Sequence, residues 1–104
     1  MARYKIFIDR DALHDIQLAT DWYNERIIGL GSRFQKQVIT QINSLKTNPL
    51  LYSRRYAEIH CMLIKKFPFF VHFKIDEKAK QVEIFAVFHT SRNPEIWLLR
   101  TLKK

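Results

Sequence analysis

Three of the four histidines, His60, His72 and His89, fall in stretches where apolar residues alternate with others, and Arg92 follows the last of them by three positions. Alternating side chains on a strand point to opposite faces. One face would then hold His60, Met62, Ile64 and Lys66 beside Phe70, His72 and Lys74, and beside Glu83, Phe85, Val87 and His89. RNA cleavage without a metal needs a base for the 2′-hydroxyl, an acid for the leaving oxygen and cations for the charge that develops on phosphorus. On that reading His89, Arg92, His72 and Lys66 are candidate catalytic residues. Arg54, Arg55, His60, Lys65 and Lys74 are candidate phosphate contacts, with Phe70 and Phe85 placed to stack bases. The outer face of a half-solvated sheet carries polar residues whatever the protein does, so this face alone does not separate a nuclease from a solvated surface.

The histidines do not read as a metal site, because no carboxylate or second cysteine stands at ligand spacing from them. No cofactor is expected. Cys61 neighbours His60, but adjacent residues on a strand point apart and form no nucleophile pair. In its apolar run Cys61 reads as a small core residue.

The elements that must hold these residues follow from the hydrophobic period. Residues 3–8 alternate as a first strand with Tyr4, Ile6 and Ile8 on one side. Asp9 or Asp11 is placed to cap a helix in which Ala12, Ile16, Ala19, Tyr23 and Ile27 recur at three- and four-residue steps. Gly29 and Gly31 interrupt it, and Ser32 is placed to cap a second helix with the inner stripe Phe34, Val38, Ile42 and Leu45, ended by Asn48 and Pro49. So short a link makes the two helices an antiparallel hairpin. Residues 50–57 read as loop.

From Glu58 the period becomes two, giving strands near residues 58–66, 69–75 and 81–88 joined as a meander. Ile59, Cys61, Leu63, Val71, Phe73, Ile75, Val82, Ile84, Ala86 and Phe88 form the apolar set expected to meet the helices. Asn93, Pro94 and Glu95 read as the capped start of a short terminal helix that docks Trp97 on the core, while Trp97, Leu98 and Leu99 are also candidates for self-association as a homodimer. The expected fold is α+β: a β-α-α-β-β-β order, the helical hairpin on one face of a largely antiparallel sheet, and a short C-terminal helix or tail.

A length of 104 residues suits a single domain spanning 1–104, and 47% hydrophobic residues argue against disorder. The net charge of +8 favours a polyanionic partner, such as nucleic acid or an acidic protein. No run approaches the roughly 20 apolar residues of a membrane span, so no membrane partner is expected. The single cysteine fits a cytoplasmic protein.

Several segments, in order, resemble the RelE/ParE toxin superfamily. They are Ala12 with Asp15-Ile16 and Trp22-Tyr23, then Gly31, Arg33 and Phe34, then Asn48-Pro49. Phe67-Pro68-Phe69-Phe70-Val71 follows, and Val87-Phe88-His89 with Arg92, Pro94 and Trp97 closes the series. The resemblance implies the toxin of a type II toxin–antitoxin, or plasmid stabilisation, pair, neutralised by a cognate acidic antitoxin. It also implies one of two activities, messenger RNA cleavage on the ribosome as in RelE-like members or inhibition of DNA gyrase as in ParE-like members.

RelE-like nucleases carry an Arg at the start of the third strand, whereas here the run is Phe69, Phe70, Val71, His72, Phe73. Were a nuclease retained, His60, Lys65, Lys66, His72, His89 and Arg92 would replace that cation, with His89 as base or acid and Arg92 on phosphate. Two other classes stay open, a non-toxic basic module that binds nucleic acid and a degenerate member that only sequesters antitoxin.

Overall fold

In a computed structural model, which describes residues 3–102, the chain forms a five-stranded mixed sheet flanked by three helices. Strand β1 (Lys5–Ile8) leads into α1 (Arg10–Arg26) and α2 (Leu30–Ser44). A single 3-10 turn (Pro49–Leu51) precedes β2 (Arg54–Tyr56), β3 (Ile59–Leu63), β4 (Phe69–Asp76), β5 (Gln81–His89) and α3 (Pro94–Leu102). The strand order is β1-β5-β4-β3-β2, with β1 parallel to β5 and every other pair antiparallel. No helix among the described residues is long and apolar enough to cross a membrane.

The helical hairpin follows the expected stripes. Ala12, Ile16 and Ala19 of α1 and Phe34, Val38 and Ile42 of α2 are buried, as is Leu45 just beyond α2, and all pack on Val71, Phe73, Val82 and Ile84 of the sheet. Asp9 stands at the N-cap of α1 without a side-chain cap bond. The cap of α2 is Gly29 and not Ser32, which lies inside the helix: the chain reverses in the left-handed region at φ +86, which glycine alone enters freely. Gly31 serves a different purpose, close helix approach. Its N–H donates to Asn24 Oδ1 at 2.7 Å, and a Cβ built on it would lie 2.1 Å from the Thr20 backbone oxygen. Backbone cannot yield to a methyl as a flexible side chain does. Gly31→Ala is therefore expected to cost about 2 kcal/mol or more through forced separation of the helices, and a melt indistinguishable from wild type would show that the hairpin is looser than this geometry.

Three features depart from the sequence reading. The segment expected as loop contains the 3-10 turn and the edge strand β2, whose Arg54 and Arg55 are exposed and give no apolar alternation to read. Strand β3 has the opposite phase, with Met62 and Ile64 under the hairpin while Ile59 and Cys61 face away from it. In β5 the register slips, so that Phe73 pairs Ile84 and His72 pairs Ala86, leaving Phe85 as the extra residue of a bulge. Beyond that point the faces exchange. Val87 joins the hairpin side, while Ala86 and Phe88 join the other.

The second face is therefore not open. Ile59, Cys61, Phe85, Ala86 and Phe88 form a second buried cluster, and α3 lays Ile96 and Trp97 against it. The start of α3 agrees with the sequence: Asn93 Oδ1 accepts the Glu95 N–H at 2.9 Å, with Pro94 as the first helical residue.

Candidate functional site

Strand β1 covers only the first half of β5. Its ladder runs from Lys5 opposite Gln81 to Ile8 opposite Ile84, and the Asp9 N–H still reaches the Ile84 carbonyl. Beyond this the edge of β5 would bare its backbone groups. Side chains from two helices close it. Asp15 of α1 accepts the Val87 N–H at 2.9 Å through Oδ2, and Arg100 of α3 donates to the Phe85 carbonyl at 3.1 Å. Arg100 also makes a two-pronged contact with Asp15, each nitrogen 3.0 Å from a separate carboxylate oxygen. Both side chains are largely shielded from solvent, at 16% and 11% exposure. The clasp ties α1 to α3 around the strand edge.

Beside the clasp runs a groove of about 520 Å³ between α1 and the upper ends of β4 and β5. Leu18, Ala19, Trp22 and Tyr23 form its α1 wall, Pro68, Phe69 and Val87 its floor, and His89 and Arg92 its far end. Leu18 and Trp22 are half exposed although apolar. The Arg26 guanidinium lies 3.7 Å over the Trp22 ring. At the other end His89 Nδ1 accepts the Ser91 N–H at 3.0 Å, and the ring meets Phe69 edge-on.

His72 occupies a contrasting place, on the opposite face and fully buried under α3. Tyr56, Phe70, Phe85, Phe88 and Trp97 all present rings to it. The Tyr56 hydroxyl lies 2.9 Å from Nδ1, and Cys61 Sγ 3.4 Å from the same nitrogen. Nε2 has no hydrogen-bond partner. Burial pushes the imidazole pKa down to about 4, aided by the charges of Arg100 and Arg55. Burial likewise pushes the Tyr56 phenol and the Cys61 thiol up, to about 12 and about 11. All three groups are neutral at ordinary pH, and the phenol and the imidazole share a hydrogen bond.

The three histidines expected on one face thus separate. Paired residues of neighbouring strands share a face. His60 pairs Phe73 and His89 pairs Phe69, which places both on the hairpin side, whereas His72 pairs Cys61. The inverted phase of β3 moves the first, and the bulge at Phe85 moves the last. His60 Nδ1 lies 2.6 Å from the Tyr52 carbonyl, and its ring stacks on Phe73.

His60 lines a second groove, of about 700 Å³, at the opposite end of the sheet with Arg54, Lys74 and Lys78. Glu58, Asp76, Glu77 and Glu83 share that lining, so its cations are matched by carboxylates. Lys65 and Lys66 are exposed in the β3–β4 turn, Lys66 at φ +69. Arg55 is exposed with its guanidinium 4.8 Å over Phe70, a half-buried ring, whereas Phe85 is 1% exposed and presents no face to a base. Of the expected catalytic residues only His89 and Arg92 stand together. Asp15 and Arg100 were not singled out for a role at the site, and with 85 positions between them no local spacing announces their pairing. Among the described residues no cluster of three or more His, Cys, Asp or Glu could hold a metal ion.

Comparison with known proteins places this arrangement. A family model described as the ParE toxin of the type II toxin–antitoxin system parDE matches residues 6–94. No protein of curated function matches by sequence. Among solved structures, a chain of the chromosomal ParDE system of P. aeruginosa superposes with a TM-score of 0.76 at 15% identity, over 88% of this chain and 100% of that one. A chain of the RelBE2 toxin–antitoxin complex of Mycobacterium tuberculosis gives 0.64 at 18% identity, over 88% and 97%. The isolated RelE toxin of E. coli gives 0.62 at 14% identity, over 96% and 97%. At these identities the likeness is one of fold.

Proposed function

The chain belongs to the ParE toxin family of type II toxin–antitoxin systems, and from that premise we propose that it arrests growth by binding and blocking DNA gyrase rather than by cutting messenger RNA. The observation that carries the choice is His72. Among the described residues it is the one histidine on its sheet face, and it is wholly buried beneath α3, where burial holds its pKa down to about 4 and closes it off from solvent. An RNA-cleaving site needs base, acid and cations converging on one phosphorus atom. His60, His72 and His89 lie on two faces, with the cations around His60 matched by acids. Inhibition by binding needs surface and no proton transfer, and the fold retains ample exposed apolar and cationic surface. The net charge of +8 suits neutralisation by an acidic antitoxin.

Expression of the chain without a partner is expected to arrest growth, with loss of negative supercoiling in a reporter plasmid and intact transcripts. Purified protein should block supercoiling of relaxed plasmid by gyrase. Transcripts cut at ribosome-bound codons, with gyrase unaffected, would favour the nuclease. Harmless expression would instead point to a nucleic-acid-binding module or an antitoxin-sequestering relative.

A further inference from the structure

We propose that the turn joining α1 to α2 is the part of the chain that enters gyrase, with Ile27 and Ile28 filling an apolar pocket that has an acidic rim, an inference that rests on the gyrase reading above. Turns favour Gly, Pro, Asn, Asp and Ser, whose backbones and side chains suit the bend. This one sets two β-branched apolar residues ahead of Gly29. Ile27 continues the α1 stripe by spacing, yet the helix ends at Arg26 and leaves it outside. Ile28 is 97% exposed and Ile27 58%, so packing within the fold does not account for either side chain.

The tip is nevertheless held firmly. The Ile27 N–H donates to the Tyr23 carbonyl and the Leu30 N–H to the Ile27 carbonyl, both at 3.0 Å, and the Arg33 N–H reaches the Gly29 carbonyl at 3.2 Å. Gly31 bonds Asn24 and lies against the Thr20 backbone just beyond the turn. An apolar side chain presented on a locked backbone enters a pocket with little loss of conformational freedom. The exposed leucines of α3 lack that support, since α3 has no fully buried side chain.

The charges beside the tip set the chemistry of the pocket. Residues 22–36 carry Arg26, Arg33 and Lys36 against Glu25 alone. The 4.0 Å contact of Glu25 with Arg26 is exposed and weak. Arg26 is fixed at the end of α1, its guanidinium 3.7 Å over Trp22 and bonded to the Trp22 carbonyl at 3.3 Å. A carboxylate rim complements this surround, and a basic rim repels it. An anionic membrane offers similar chemistry, but two isoleucines carry fewer carbons than one myristoyl chain, which alone anchors only marginally. A protein pocket that encloses both side chains fits better.

The test titrates the purified full chain against supercoiling of relaxed plasmid by gyrase. Ile28→Asp is expected to raise the concentration for half inhibition about 30-fold or more, and Ile28→Leu, which keeps the apolar bulk, should inhibit as wild type does. Leu51→Asp, at a residue 73% exposed and remote in sequence from the turn, should leave inhibition unaltered. Ile28 is almost wholly in water, so its variants are expected to melt as wild type does, and a thermal melt checks this. Arg33→Glu should weaken inhibition about tenfold, an effect that fades as salt screens the charges. Inhibition by Ile28→Asp at the wild-type concentration would overturn the inference and leave the gyrase reading intact. Wild-type protein that does not inhibit gyrase ends both. Sedimentation with phosphatidylglycerol vesicles that Ile28→Asp abolishes, with gyrase inhibition unchanged, would give the tip to a membrane and overturn the inference as well.

Discussion

Asp15→Ala is expected to lower the unfolding free energy by about 3–5 kcal/mol, the range for removing one partner of a shielded ion pair. The loss is compound. Arg100 keeps its charge in a poorly hydrated place, and the Val87 N–H loses its acceptor at a strand edge that β1 does not reach. Arg100→Ala should cost a similar amount and loosen α3 as well, since no α3 side chain is fully buried and Arg100 is one of its polar ties to the rest of the fold, beside the Thr101 bond to Tyr56. Urea denaturation of wild type, both single variants and the double variant measures this. The double variant should fall well short of the sum of the singles, because the pair acts as one unit. An Asp15→Ala protein within about 1 kcal/mol of wild type would mean that solvent replaces the clasp at little cost.

The second large effect is a pH dependence owed to His72. Its folded pKa, about 4, lies below the ordinary value of 6.5. Above pH 6.5 the imidazole is neutral in both folded and unfolded chains, and its contribution to stability is complete. As pH falls through 6.5 the unfolded chain takes up a proton that the folded chain refuses until about 4, so stability drains away across that window. The shift corresponds to about 3 kcal/mol by the lower end. The comparison is with His72→Met, which retains an apolar filling beneath α3. Wild type should lose stability from pH 6.5 to 4 more steeply than the variant by that amount. Parallel curves would show that water reaches His72 and that α3 seals the face less tightly than its ring contacts imply.

Much of the fold is legible in the sequence, and the departures from it have physical causes. The stripe Phe34, Val38, Ile42 and Leu45 has one apolar face, and its burial followed directly. Asn93-Pro94-Glu95 announced α3 by local chemistry that needs no tertiary context. Strand β3 is apolar on both faces, Ile59 and Cys61 against Met62 and Ile64, because both are covered, so alternation could not choose its phase. The bulge at Phe85 is held by a carboxylate and a guanidinium from distant helices, and nothing in residues 81–89 marks it. The candidate site shared that limit. His89 and Arg92 were found because they are close in sequence. Their supposed companion His72 stands on the face expected for it, and one inverted strand carries His60, and one inserted residue His89, to the other side.

Residues 5–8 take their ladder bonds from residues 81–84, 76 positions later. A ribosome making this protein delivers the first strand long before the strand that receives it. Until that strand is made, residues 5–8 have no partner strand, and this long-range pairing forms late. A translation product stopped before Gln81 lacks the whole receiving edge, and with it Val87 from the floor of the groove and His89 and Arg92 from its far end. The order of assembly itself therefore delays the groove until residues 81–92 have been made.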